Sequence, residues 1–454
     1  METITKIANW IWGPPMLILL VGGGIFLTIK LGFFQFRYLG FIFSQTLGKM
    51  FEKNTKGEGS ITPFQALSSA LASTIGGANI VGVPAAIAMG GPGAIFWMWV
   101  TAIVGQATKF TEATLGVAYR EKNEEGEYVG GPYYYLKNGI KSNAGKVLGT
   151  MCAFFFMVEI LASLPVQTQS ITQTLSTIHI PPVVSALAVI VVVGIVVFGG
   201  VQRVGEVTEK LVPFMAVVYL ILSLVIIFAN ASRIPEAFSL IFKGAFTAQA
   251  AVGGFAGAGI AQAIRWGSAR GMYSNEAGMG STSISHAAAS TDHPARQGLW
   301  GVFEVFMDTI VICTMTGLVV ITTGIWKEVS AQDAASAVAR AFQSQFGQAF
   351  GGGILSVCIL LFVLSTIIVM VFYCRKQAEN LFGLSVGKVI TFVCLGCILY
   401  GAFGKLDNMF AILDITLAAV ILPNMIGLVM LSGKVKDLKN DFFSNPKFYP
   451  GAKK

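Results

Sequence analysis

Apolar residues in this chain run in long stretches separated by short polar segments, and the alternation expected of half-buried strands is missing. Eleven such stretches are legible: residues 14–30, 62–89, 93–118, 148–177, 182–199, 210–229, 256–290, 298–323, 352–374, 386–403 and 409–431. An α-helix of about 20 apolar residues crosses the roughly 30 Å hydrocarbon layer of a bilayer. The pattern therefore predicts an all-α polytopic membrane protein with eleven transmembrane helices. A transmembrane barrel is excluded, because its strands alternate with period two. Two connections, 230–255 and 324–351, carry helical amphipathic patterns in RIPEAFSLIFKGAFTAQ and DAASAVARAFQSQF. Each reads either as a helix on the outer surface that roofs a vestibule or as an ordinary loop helix.

Composition strengthens the membrane reading. Hydrophobic residues make up 54% of the 454 residues and charged residues only 12%, where a soluble domain carries about 25% charge. The net charge of +8 fits loop cations that orient a membrane protein better than a nucleic-acid surface. With the N-terminus outside and the spans alternating, Lys and Arg concentrate in the inner segments, notably Lys30–Lys56, Arg120–Lys146 and the tail from Lys434. This places the C-terminus in the cytoplasm of a cell whose plasma membrane holds the protein. The six cysteines all fall in apolar stretches and read as small hydrophobes; the Cys394–Cys397 spacing has no partner pair, so a metal is not expected.

Two spans are interrupted. In the second, Ser68, Ser69, Ser73, Thr74, Gly76, Gly77 and Asn79 cluster midway, with Pro84 one turn on. Unpaired backbone is tolerated at this depth only where it lines a cavity. Amide groups and the positive helix end attract a carboxylate; carbonyls and hydroxyls suit a small hard cation. A tightly packed small-residue interface is the competing reading. In the seventh, Tyr273-Ser-Asn-Glu-Ala-Gly-Met-Gly280 sets Ser274, Asn275 and Glu276 between two apolar halves. Gly253, Gly254 and Gly257 offer a rival break, and Glu276 has the alternatives of a helix cap or a salt bridge with Arg270. Leaving the first span aside, the breaks open two groups of five helices with opposite orientation, the layout of an inverted-repeat secondary transporter. The organisation expected is an extra helix and cytoplasmic loop in 1–61, a first repeat in 62–230, and four helices of the second repeat in 231–403. The last helix and a basic tail fill 404–454. For a substrate that carries one carboxylate and one ammonium, the Gly76 and Gly77 amides would take the carboxylate. Asn79, Glu276 or carbonyls near 273–276 would take the ammonium.

The run Gly90-Gly-Pro-Gly-Ala-Ile-Phe-Trp-Met-Trp99-Val-Thr-Ala-Ile-Val-Gly105 resembles the signature of the alanine or glycine:cation symporter family, and SNEAGMGS resembles a second hallmark of it. The resemblance extends over nearly the whole chain. It implies Na⁺- or H⁺-coupled uptake of alanine and glycine, no cofactor beyond the coupling ion, and a leucine-transporter-type five-plus-five fold behind one extra helix. By analogy with that fold, the carbonyls of Ala72, Ile75 and Phe362 and the hydroxyls of Ser365 and Thr366 are candidate sodium ligands, five oxygens that suit a hard cation. Tyr273 becomes an aromatic lid, Gly278 and Gly280 stand at the fold's glycine positions, and Met370 helps Tyr273 bound a small side-chain pocket. In span four, Gln167 and Thr168 are the residues expected to face the site. The FWMW residues themselves read as a helix start with interfacial aromatic anchors.

Several charges fall at membrane depth. Lys109 and Glu112 have i,i+3 spacing and are expected to pair. Glu304 and Asp308 stand i,i+4, which calls for a proton, a cation or a basic partner, with Asp308 a candidate for a cation path. Glu159 faces the core or an inner gate; Asp407 and Asp414 read as gate or capping residues. An intramembrane enzyme would need a nucleophile and base, yet His286 is the one histidine deep in a span and has no carboxylate near it in sequence. A channel would need a repeated pore, and none is evident.

Overall fold

The computed structural model describes residues 10–50, 52, 57–176, 179–247, 259–328, 334–404 and 409–452. Helices occupy every apolar stretch. They are α1 (Pro14–Lys30), α2 (Pro63–Thr74), α3 (Ala78–Gly90), α4 (Ala94–Ala118), α5 (Asn143–Ser176), α6 (Pro182–Val197), α7 (Gly200–Ala229), α8 (Ile234–Phe246), α9 (Ile260–Asn275), α10 (Ser281–Ala287), α11 (Pro294–Thr323), α12 (Ala337–Phe346), α13 (Gln348–Phe382), α14 (Leu384–Tyr400) and α15 (Met409–Ser444). Among the described residues, α5, α7, α11, α13 and α15 are each long and apolar enough to cross a membrane, and α2 and α3, bent by 48° at the break between them, are so only taken together. α1, α6 and α14 are shorter apolar helices.

Local signals account for the helix ends. Thr62 caps α2: its hydroxyl accepts the Gln65 N–H (3.1 Å) while Gln65 Oε1 accepts the Thr62 N–H (3.0 Å), with Pro63 in the first turn. His293 caps α11 by accepting the Ala295 N–H at Nδ1 (3.1 Å). The GGPG turn is made by Gly91 at φ 71°, between α3 and α4. Several spans run past their apolar stretch, as α5 from Asn143, α7 from Gly200 and α13 from Gln348 do. Helical hydrogen bonding continues into polar residues where there is water. A hairpin of β1 (Glu121–Lys122) and β2 (Tyr128–Val129), which hydropathy alone does not signal, follows α4.

α4 runs through the middle, packed on α9, α10 and α11, while α5 packs on α13 and α15. α6 turns Val184, Leu187, Val191 and Ile195 outward, an apolar face with the character of a lipid contact. Both amphipathic loop segments form helices, α8 and α12. The aromatic start of α4 does more than anchor: Phe96 packs on Phe242 and Phe246 of α8, Trp97 Nε1 donates to Ala245 O (3.2 Å), and Trp99 Nε1 donates to Thr314 Oγ1 (2.8 Å). The alternative break at Gly253, Gly254 and Gly257, and Asp407, lie outside the described residues.

Candidate functional site

Two interruptions meet at the centre of the helices. α2 ends at Thr74; Ile75 is extended (φ −80°, ψ 92°), and the chain resumes at Ala78 in a π-helical stretch, Ala78–Gly82. The Asn79 N–H bonds Gly76 O rather than Ile75 O, so the Ile75 carbonyl is left out of the helical pattern. The second interruption lies between Asn275 and Ser281. Glu276 has φ 54°, Gly278 φ 100° and Gly280 φ 84°. A left-handed backbone costs an ordinary residue roughly 1–2 kcal/mol, so Glu276 is held there by its surroundings. Side chains at the two glycines would strike Leu20 and Pro132.

Asn79 links the breaks. Its Oδ1 accepts the Gly76 N–H (2.9 Å), and its Nδ2 donates to Ser274 Oγ (3.0 Å) and Asp308 Oδ1 (2.7 Å). The Ser274 hydroxyl donates to Asp308 Oδ2 (2.9 Å), as does Thr309 Oγ1 (2.7 Å), and Asn275 Nδ2 donates to Thr309 Oγ1 (3.2 Å). Asp308 lies in its own π-helical stretch, Phe306–Cys313, a distortion that often marks functional positions. The Gly76 amide is thus engaged within the chain, whereas Gly77 borders open space, with no atom within 4 Å of where a Cβ would stand.

The hydroxyl pair of α13 reaches the first break. Thr366 Oγ1 lies 2.9 Å from Ala72 O and 3.0 Å from Phe362 O, and a Cβ on Gly76 would meet it at 2.8 Å. Ser365 Oγ donates to Phe362 O (2.8 Å) and faces Met215. Hydroxyls that now donate to carbonyls can rotate to offer lone pairs, and the resulting oxygens are the donor type a hard cation takes. Among the described residues, no cluster of His, Cys, Asp and Glu is arranged to hold a metal.

Glu276 turns to the other side of the break. Its Oε2 accepts from Ser73 Oγ (3.3 Å) and Ser281 Oγ (2.5 Å), and Arg270 instead stacks over Trp266 and Tyr273. Tyr273 is partly exposed and, with Glu276, lines a small cavity shared with Trp12, Leu20 and Leu417. Met370 touches Ser163 of α5 (3.9 Å). Thr168 is not brought to the breaks: its hydroxyl bonds back to Leu164 O (2.9 Å), and its Cβ packs where Gly401 leaves room. Gln167, half-buried, has no hydrogen bond to Asn79, Ser274 or Glu276.

The charges at depth pair differently from the sequence expectation. Lys109 bonds Glu304 Oε1 (2.9 Å) and Thr282, not Glu112. Both partners are fully buried, and His286 Nε2 stands 3.5 Å from Glu304 Oε2. Glu112 Oε1 instead accepts the Gly278 N–H (3.0 Å), the Gly280 N–H (2.9 Å) and Asn424 Nδ2 (2.9 Å). The i,i+3 expectation fails here because Lys109 is directed across the core to Glu304, while Glu112 is satisfied by three N–H donors of the second break and α15. Asn424, itself bonded by Tyr135, was silent in the sequence because a lone Asn in an apolar helix carries no spacing signal.

The fold is mostly helical with helices of membrane-spanning character, and the solved structures it matches are transporters of the leucine-transporter type. MhsT in complex with L-phenylalanine superposes with a TM-score of 0.58 over 82% of this chain and 89% of that one, at 13% identity, a likeness of fold. The chain matches the Sodium:alanine symporter family over residues 1–449 and belongs to it. The transporter YflA of Bacillus subtilis (strain 168) is 50% identical over 448 residues, 98% of this chain and 94% of YflA. The sodium/alanine symporter AgcS of Methanococcus maripaludis is 40% identical over 436 residues, 95% of each chain. The family is one of multi-pass membrane transporters of amino acids, which are not enzymes.

Proposed function

We propose that this chain couples the downhill entry of a cation, Na⁺ in preference to H⁺, to the uptake of alanine and glycine by alternating access. The observation that carries this reading is Asn79, whose one side chain ties the Gly76 amide of the first break to Ser274 and Asp308 beside the second. A ligand that reorganises either break therefore acts on both, which is what coupling of two ligands requires. The sodium site is Ala72 O, Ile75 O, Phe362 O, Ser365 Oγ and Thr366 Oγ1. The substrate carboxylate lies on the open side of Gly77, next to Gly76. Its ammonium is taken by Asn79, Ser274, Asn275 or Glu276, and Tyr273 and Met370 bound an alanine-sized pocket. Gln167 and Thr168 come to line the site only if α5 turns. Eleven spans cross the plasma membrane, one extra helix ahead of two five-helix repeats, with the N-terminus outside and the C-terminus cytoplasmic. The name of AgcS supports sodium and alanine together.

A proton-coupled carrier of the same fold is the second reading. It is favoured by Asp308, a fully buried carboxylate whose partners among the described residues are neutral donors. Labelled alanine uptake into liposomes under separately imposed Na⁺ and proton gradients decides between them. Uptake driven by neither gradient, and no acceleration by preloaded alanine, would sink both.

A further inference from the structure

The cytoplasmic ends of the two broken spans meet in a backbone seam. Residues 57–61, which lead into α2, lie against residues 287–291, which leave α10. The Ser60 and Ile61 amides donate to Ala288 O (2.7 and 3.1 Å), and the Ser290 amide donates to Ile61 O (2.7 Å). Contact is too close for side chains: a Cβ at Gly57 would stand 2.1 Å from Thr291 O, and one at Gly59 2.2 Å from Ser290 N. Arg120, just past the end of α4, spans the seam. Its Nη1 donates to Ala287 O (3.0 Å) and Ala289 O (2.7 Å), and its Nη2 to Glu58 O (2.6 Å). The guanidinium lies 4.2 Å from the centre of the Tyr128 ring in β2, and the Tyr128 hydroxyl bonds the Glu58 carboxylate.

We propose that Arg120 is a positioning residue that holds the cytoplasmic ends of the broken spans shut, and that this seam parts and re-forms once in each transport cycle. The inference rests on the transporter reading above. Ala287 and Ala289 sit at the carboxyl end of a short half-helix, where carbonyls lack helical partners and carry partial negative charge. A guanidinium offers several fixed donors at once, so one side chain serves the end of α10 and the start of α2 together. These bonds lie at the rim, where water can replace them when they open. α10 itself is fixed deeper in the core, through Lys109 and Glu304 and through Glu112 on the Gly278 and Gly280 amides.

The test uses the full chain in liposomes with Ala288→Cys as reporter; Ala288 is 1% exposed and lies in the seam. A membrane-impermeant maleimide is applied from the cytoplasmic side, and the chain without the reporter gives the background of the native cysteines. Arg120→Gln should raise the labelling rate about tenfold, the effect expected for loss of charge-assisted bonds, and raise KM for alanine more than it lowers kcat. Arg120→Lys, a single donor head, should fall between. Gly59→Ala, with Arg120 intact, should wedge the seam and also label fast, and it decides the matter if Arg120→Gln does not fold. Labelling at the parental rate in folded Arg120→Gln, or in Gly59→Ala should only that variant fold, overturns the proposal. A parent that takes up no alanine under any gradient sinks the transport reading, while the labelling rates still decide the seam.

Discussion

Asn79 Nδ2 lies 2.7 Å from Asp308 Oδ1, joining α3, the helix after the first break, to the π-helical stretch of α11. Both residues are fully buried, and Asp308 takes its other bonds from Ser274 and Thr309. Removing the amide leaves a buried carboxylate short of a donor and the Gly76 N–H without a side-chain acceptor. A hydrogen bond to a charged group is worth roughly 1.5–3 kcal/mol, so Asn79→Ala should lower cation-driven alanine uptake by about 10- to 100-fold. Uptake kinetics in liposomes check this; a wild-type rate would take Asn79 out of the site.

The two hydroxyls on α13 should not be equivalent. Thr366 reaches Ala72 O in another helix, while Ser365 bonds within its own helix and faces Met215. Thr366→Ala should therefore raise the Na⁺ concentration for half-maximal uptake more than Ser365→Ala, by about tenfold against a few-fold if one extra charge-assisted contact is lost. The titration of uptake with Na⁺ at fixed membrane potential reads this directly. Equal effects, or a larger one for Ser365→Ala, would contradict the bridging role of Thr366.

The positions of the helices were legible because long apolar runs favour them, and the break at Ile75–Gly77 because Gly76, Gly77 and Asn79 interrupt helical periodicity in one. The second break was legible from Glu276 and its glycines. What the sequence withheld is which face each polar side chain takes. Lys109 stands one turn from Glu112 and bonds Glu304, 195 positions away. Thr168 looked like a pocket residue, yet a threonine in an apolar helix satisfies its hydroxyl on the preceding turn, as it does on Leu164. Arg120 carried no motif, because its targets are backbone carbonyls of residues that could be almost anything.

The Lys109–Glu304 pair should respond asymmetrically to substitution. Its members are fully buried and 2.9 Å apart, with Thr282 bonded to both. Breaking one partner of such a pair costs roughly 3–5 kcal/mol, while replacing both by apolar or neutral groups of similar size is often near neutral. Lys109→Met should thus lower the melting temperature in detergent sharply, and Lys109→Met with Glu304→Gln should recover much of the loss. A double variant less stable than Lys109→Met would mean that the pair contributes more than charge balance, and would shift attention to His286.

At the start of α11, His293 joins that helix's cap to α15: Nδ1 accepts the Ala295 N–H (3.1 Å), and Nε2 stands 3.0 Å from Asp441 Oδ2. An acceptor at Nδ1 requires the neutral ring. Burial holds the imidazole below its ordinary value, partly opposed by the hydrogen bond to Asp441. With the folded value depressed, the unfolded chain binds the proton first, so the stabilisation is complete above the ordinary histidine range, about 6.5, and is lost as pH falls through the lower folded value. His293→Asn keeps a side-chain acceptor at the cap but cannot titrate. Melting temperatures measured from about pH 7.5 down to 5 should fall more steeply for the parent than for His293→Asn, the two curves converging at the acid end. Parallel curves would show that the ring's protonation is not felt by the fold and that the cap alone sets the contribution of this residue.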